Sequence, residues 1–134
     1  MPLRICFLTA EMAPFAKAGG LADVSGALVK YLHAAGHDIR LFMPGHASIK
    51  RAELETYPVE FLQDVPLTIG TRAYRFSVQT ARVPNTQTFV YLIDCPAMFG
   101  GPAIYTADPD EYRRYLLFTH AALQSCQRMG FAPH

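Results

Sequence analysis

The sequence predicts an α/β fold, and three observations carry that reading: a short apolar run at the amino terminus, a helical apolar period directly after a double glycine, and a second apolar run before Pro44-Gly45. The 134 residues are 51% hydrophobic and 17% charged, enough apolar material for one core. One domain is the expectation, and a complete two-domain enzyme with an enclosed cleft is excluded by length. Twelve Lys plus Arg against eleven Asp plus Glu leave a formal charge of +1. That balance supplies no basic field for nucleic acid or an anionic membrane surface, so neither is expected as a partner.

Arg4 to Ala10 mixes β-branched, aromatic and aliphatic residues and is bounded by Glu11, Pro14 and Gly19-Gly20, so it reads as the first strand rather than an export segment. Leu21, Val24, Leu28 and Leu32 recur at helical spacing and define the face expected to pack on a sheet, with Gly36 ending the helix. Asp38 to Met43 resumes strand character. These pieces make a βαβ unit, which brings the loop after the first strand to the carboxyl edge of the sheet, where open α/β sheets bind ligands.

Residues 46–60 show no period and are expected to be a surface connection or a short helix. Val65–Ile69 and Ala73–Val78, separated by Gly70-Thr71, predict an antiparallel hairpin, and Thr88–Ile93 predicts a strand rejoining the central sheet. The segment with Gly100-Gly101, Pro102 and Pro109 is expected to be an ordered loop. Asp108 as N-cap, Pro109 at the first position and Glu111 in a capping box predict a helix to about Met129, with Tyr115, Phe118, Ala122 and Met129 on its buried side. After Gly130 only four residues follow, without the next strand that a progressing α/β domain would supply, so the sheet is expected to be incomplete.

No apolar stretch approaches the roughly 18 residues that span a bilayer. Cys6, Cys95 and Cys126 are odd in number and widely spaced, which suits reduced structural thiols and a cytoplasmic compartment. The five histidines lack metal-ligand spacing and take surface, capping or core roles; no metal and no cofactor is expected. No Ser-His-Asp or Cys-His nucleophilic arrangement is evident.

The densest candidate site is Glu11, Lys17, Gly19, Gly20 and Asp23. The glycines permit close approach, the amides of the first helical turn suit an anion or a polyol, and Lys17 adds a cation. Asp23 and Glu11 offer acceptors to sugar hydroxyls, although Asp23 equally fits an ordinary interaction with the helix start and Glu11 an ordinary surface position. Asp94 either reaches the cleft or closes a strand-end turn. Tyr105 either stacks on sugar or packs within its loop. The pattern lacks GxGxxG with a downstream acid, so spacing by itself reaches only an anion or sugar site.

The stretch EMAPFAKAGGLADVSGALVKYLHAAGHDIRLFMPG resembles the amino-terminal signature of bacterial glycogen synthases and plant starch synthases, above all in the Lys-x-Gly-Gly-Leu element of Lys17, Ala18, Gly19, Gly20 and Leu21. YLIDCPAMF with Ala103-Ile104-Tyr105, and the helix around DPDEYRRYLLFTHAAL, are similar to two further elements of that family. The family usually carries Thr at the position of Ala18 and commonly Asn at that of Glu111, while Arg114 stands at the matching basic position. The resemblance implies a partial Rossmann-like amino-terminal domain of a two-domain GT-B glycosyltransferase. Its activity would be retaining glucosyl transfer from ADP-glucose to the nonreducing end of an α-1,4-glucan. It further implies that Lys17 contacts the donor, that the Gly19-Gly20 backbone approaches it, that Asp23 supports the sugar or acceptor side, and that Glu11 contacts the glucan. The nucleotide-binding machinery and an Asp-Trp-His motif would lie outside this sequence. The isolated chain is therefore expected to be inactive by itself, the alternative being a noncatalytic carbohydrate- or nucleotide-binding remnant.

Overall fold

The computed structural model describes residues 1–134. Strand β1 (Arg4–Leu8), helix α1 (Gly20–Ala34) and strand β2 (Asp38–Pro44) form the expected βαβ unit, with β1 and β2 parallel from Arg4 opposite Asp38 to Leu8 opposite Phe42. A 3-10 turn at Arg51–Glu53 leads to β3 (Thr56–Pro58), and a second at Glu60–Leu62 leads to β4 (Val65–Ile69), followed by β5 (Arg72–Arg82) and β6 (Phe89–Asp94). A single turn, α2 (Pro96–Phe99), and the long helix α3 (Glu111–Arg128) complete the chain.

The sheet runs β1-β2-β6-β5-β3, with β4 paired to β5 beyond this path. Only β1, β2 and β6 are mutually parallel; β5 is antiparallel to β6, β3 and β4. The hairpin lies where Gly70-Thr71 separates its strands, and Gly70 takes φ +62, a left-handed conformation that glycine adopts without strain. Strand β5 runs four residues past the expected Val78, because its second half pairs with β6 and β3 after its first half has paired with β4.

Strand alternation divides the core between two faces. Leu41, Met43, Val90 and Leu92 point to the α1 side, with Met12, Phe15 and Val29, whereas Phe42 and Ile93 point to the α3 side, with Phe76, Phe99, Leu117, Phe118 and Ala122. The central strands, covered on both faces, are accordingly almost wholly apolar.

Helix α1 corrects the expected packing face. Leu21, Val24 and Leu28 are 47%, 61% and 41% exposed, and the residues turned to the sheet are Ala22, Ser25 and Val29. Both sets recur at helical spacing, and the sequence period favoured the bulkier one. The small side chains let the helix sit close to the sheet, and the larger ones form an outward apolar stripe.

The start of α3 is a second correction. It begins at Glu111, two residues later than expected, with Asp110 rather than Asp108 at the N-cap. Asp108 instead folds its carboxylate back to accept from the Asp110 amide at 2.8 Å, a local turn that competes with helix. The Glu111 carboxylate bonds the amide and hydroxyl of Thr106 instead of completing a capping box with Asp108. The helix ends as expected, with Met129 at the C-cap and Gly130 at φ +68. No helix is long and apolar enough to cross a membrane.

Candidate functional site: the loop between β1 and α1

The parallel strand β1 delivers the chain to residues 9–19, and core contacts hold this loop at the sheet edge. Met12, Phe15 and Ala16 are buried against the α1-side core, and the Phe15 and Ala16 amides both donate to the Met12 carbonyl. The Thr9 hydroxyl meets that of Ser25 at 2.9 Å and donates to the Glu11 carbonyl at 2.8 Å, tying the loop's first turn to α1.

Glu11 organises the remainder. Its side chain is 2% exposed, and one carboxylate oxygen accepts from the amides of Ala18, Gly19 and Ala22 at 3.2, 3.0 and 3.2 Å. The other accepts from the Tyr105 hydroxyl at 2.7 Å. Gly19, the N-cap of α1, has no side chain to satisfy the helix's first amides, and Glu11 does so from eight residues upstream. Burial pushes the Glu11 carboxyl up, but the Tyr105 hydroxyl and the three amides outweigh it and hold the group below its ordinary value. Glu11 is thus a buried anchor of the loop and not the exposed residue the sequence allowed.

With Ala18, Gly19 and Ala22 engaged, the amides of Gly20 and Leu21 are the ones at this helix start that make no hydrogen bond within the chain. Gly19 is extended at φ −164 and Gly20 is helical, so neither requires left-handed freedom. A Cβ built on either would meet nothing within 4 Å. Internal packing therefore requires neither glycine, and their effect is to keep the approach to the free amides clear. Beside them the Lys17 ammonium and the Asp23 carboxylate pair at 2.7 Å, both more than half exposed.

The opposite wall is the loop 100–107. Arg114, 7% exposed, donates to the carbonyls of Met98 at 2.7 Å, Ile104 at 2.9 Å and Ala103 at 3.4 Å, and pairs with Glu111 at 2.7 Å. Glu111 in turn holds Thr106. This clamp presents Tyr105 to Glu11. Between the two loops lies an open groove of about 480 Å³ lined by Phe15, Lys17, Ala18, Ser48, Ile104 and Tyr105. A larger groove of about 850 Å³ lies beyond the second loop, between Tyr105, Glu111, Arg113 and Tyr74. Tyr105 lines both grooves, its hydroxyl spent on Glu11 and its ring tilted 6.2 Å from that of Tyr115.

The structure therefore gathers Glu11, Lys17, Gly19, Gly20, Asp23 and Tyr105 around one loop and places Asp94 elsewhere. Asp94, ending β6, forms a two-pronged ion pair with Arg51 and lines neither groove. Arg51 also donates to Gln79 at 2.8 Å, and its pairing with Asp94 raises its pKa against the opposing effect of burial. Sequence reasoning gave Arg114 no clamp role and missed that of His46, which is 1% exposed and bonds the Ala10 carbonyl through Nε2 at 2.8 Å. Burial holds His46 below its ordinary pKa, and because the Ala10 carbonyl can only accept, Nε2 is the donor in this contact. Besides its place at the family's basic position, the signal for Arg114 is its position one helical turn after Glu111. No group of three His, Cys, Asp or Glu side chains is placed to hold a metal ion.

Fold and loop together define an open α/β domain whose candidate binding surface lies beyond the carboxyl ends of its parallel strands. Residues 4–134 match the family model described as the starch synthase catalytic domain, and the chain belongs to that glycosyltransferase family. It is 36% identical over 145 aligned positions to a glycogen synthase of Aeromonas salmonicida, covering 98% of this chain and 27% of that protein. It is likewise 36% identical to glycogen synthase 1 of Geobacter sulfurreducens, over 98% of this chain and 27% of the relative. The fold is similar, with a TM-score of 0.85 and 26% identity, to the catalytic domain of starch synthase IV from Arabidopsis thaliana bound to ADP and acarbose, over 99% of this chain and 27% of that one. The chain thus spans about a quarter of the length of these relatives.

Proposed function

We propose that this chain supplies the amino-terminal, Rossmann-like wall of the active cleft of a GT-B glucosyltransferase that moves glucose from ADP-glucose to the nonreducing end of an α-1,4-glucan with retention of configuration. One observation carries the reading: Gly19 and Gly20 leave open space that internal packing does not require, in front of two unbonded amides and beside Lys17. Free amides at a helix start and an ammonium group suit the anionic or hydroxyl-rich parts of a nucleotide sugar. On this reading Lys17 exchanges its exposed Asp23 partner for the donor, and Asp23 turns to the sugar or acceptor side. Glu11 fixes the loop and reaches the glucan only through the surface that Tyr105 shares with it.

Glycosyl transfer needs the leaving diphosphate to be held and its charge stabilised in register with the acceptor. In this proposal a second domain does that work, and these 134 residues by themselves bind without turnover. A noncatalytic carbohydrate- or nucleotide-binding product is the second reading, favoured by the open groove beside Lys17 and Tyr105, which suits a ligand in its own right.

Gly20→Ala and Lys17→Ala in the full-length enzyme provide the test. Each is expected to lower kcat/KM for ADP-glucose by at least about tenfold, the scale of one lost 1.4 kcal/mol contact, with the melting temperature preserved. Unchanged kinetics in both variants would overturn the assignment of this loop. Adding the second domain back to the 134-residue chain separates the two readings: turnover supports the first, whereas calorimetric binding of ADP-glucose or a maltooligosaccharide that stays without turnover supports the remnant.

A further inference from the structure

We infer that Cys6 and Cys126 form a dithiol modification site, which a peroxide closes to an intramolecular disulfide joining strand β1 to helix α3. The two sulfurs lie 3.7 Å apart, with the Cys126 thiol directed at Cys6 Sγ across 120 positions of sequence. Both belong to the α3-side core, Cys126 within it and Cys6 packed against it. Cys6, on β1, is half-buried, and Cys126 is buried behind it. Cys95 is buried at the end of β6 without a sulfur partner. The paired cysteines belong to the α3-side core, whereas the loop that carries Lys17 and the two glycines is seated on the α1-side core, so the inference stands apart from the proposed activity.

The chemistry balances with one peroxide. The Cys6 thiolate attacks a peroxide oxygen; the O–O bond breaks, and the leaving hydroxide takes up a proton, giving Cys6 sulfenic acid and water. The Cys126 sulfur then attacks Cys6 Sγ, the S–O bond breaks, and a second water leaves with the Cys126 proton. Two thiols are oxidised, one peroxide is reduced, and the sulfurs move from contact to the roughly 2.05 Å of a disulfide. Burial sets the pace. It pushes the Cys6 thiol up to about 12, aided by the neighbouring Cys126, and raises Cys126 as well, although the hydrogen bond to Cys6 and then the Arg40 guanidinium oppose that rise. The thiolate is the reactive form, so closure at neutral pH is slow and quickens as pH rises.

The test exposes the folded 134-residue protein to hydrogen peroxide, blocks remaining thiols by alkylation, and measures intact mass and linked peptides. The expected product has lost two hydrogen masses, joins the Cys6 peptide to the Cys126 peptide, reverts with a thiol reductant, and melts about 10 °C higher because the bond closes a long loop. Cys6→Ala and Cys126→Ala each abolish it, and Cys95→Ser leaves it intact. Should Cys126→Ala fail to fold, Cys6→Ala with the peptide map still decides. Sulfinic or sulfonic acid at Cys6 without linkage, a link through Cys95, or thiols left unmodified while a free dithiol is fully oxidised would each overturn the inference.

Discussion

The Tyr105 hydroxyl donates to the Glu11 carboxylate at 2.7 Å and so joins two loops 94 residues apart in sequence. Behind Tyr105 stand Arg114 and Glu111; behind Glu11 stand three amides at the start of α1. The two walls of the smaller groove are therefore set by one hydrogen-bond chain running from α3 to α1. Burial and the Glu11 carboxylate raise the Tyr105 phenol above its ordinary pKa, and the same bond helps to lower Glu11.

Acid should weaken this linkage once Glu11 takes up a proton. The Glu11 pKa in the folded chain lies below its ordinary 4.5, so its contribution is complete above that value and is lost as pH falls through the folded pKa. Glu11→Gln should cost roughly 1–3 kcal/mol at neutral pH, the range for charge-assisted hydrogen bonds, and flatten the stability curve below about pH 4.5. Urea titrations of parent and variant from neutral to acid pH measure both effects.

Tyr105→Phe removes one donor and keeps the ring. It should cost about 1 kcal/mol and bring the acid limb of the parent's stability curve to higher pH, because Glu11 loses a partner of its charged form. Hydrogen exchange should quicken at the amides of Ala18, Gly19 and Ala22 while strand β6 keeps its protection.

Gly20→Ala separates stability from the proposed activity. With open space at the Cβ position and helical backbone, alanine should leave stability unchanged or raise it by up to about 1 kcal/mol. A melting curve decides; a marked loss would show that the glycine serves the fold.

Gly45 is the opposite case. A Cβ there would collide with the Asp94 carboxylate and lie 2.7 Å from Arg51 Nη2 and 3.0 Å from the Ile93 carbonyl. Gly45→Ala should cost about 1–3 kcal/mol by overpacking, and adding Asp94→Ala should recover part of it, a non-additivity that a double-mutant cycle reads directly.

The outward stripe of α1 predicts a solubility effect. Val24→Gln with Leu28→Gln should shift stability by under about 0.5 kcal/mol each, as substitutions at exposed positions do, and reduce concentration-dependent association in light scattering.

Local patterns made much of this molecule legible. The βαβ unit, the Gly70-Thr71 turn, the apolar strand before Asp94 and the stop at Gly130 each rest on contiguous residues, and each stands within a few positions of its expected place. Position in the chain also pointed to the loop after β1. What escaped was set by partners distant in sequence. Glu11 reads as a sugar acceptor or a surface acid, and no neighbouring residue shows that Tyr105 closes over it; Asp94 reads as a cleft residue or a strand-end turn, and no neighbouring residue shows that Arg51, 43 positions away, binds it. The face of α1 was misread for a different reason, because hydrophobic period ranks Leu above Ala and Ser although close seating favours the small ones.

Ala22, wholly buried, is bonded on both sides of its peptide to the preceding loop: its amide donates to Glu11, and its carbonyl accepts from Ala13 at 3.2 Å. The first turn of α1 and the loop therefore move as one body, and the methyl group of residue 22 acts as a shim that sets their height over the sheet. A larger side chain there would tilt Lys17 and the free amides together without altering any of them, so the aim of this surface depends on a residue with no chemistry of its own.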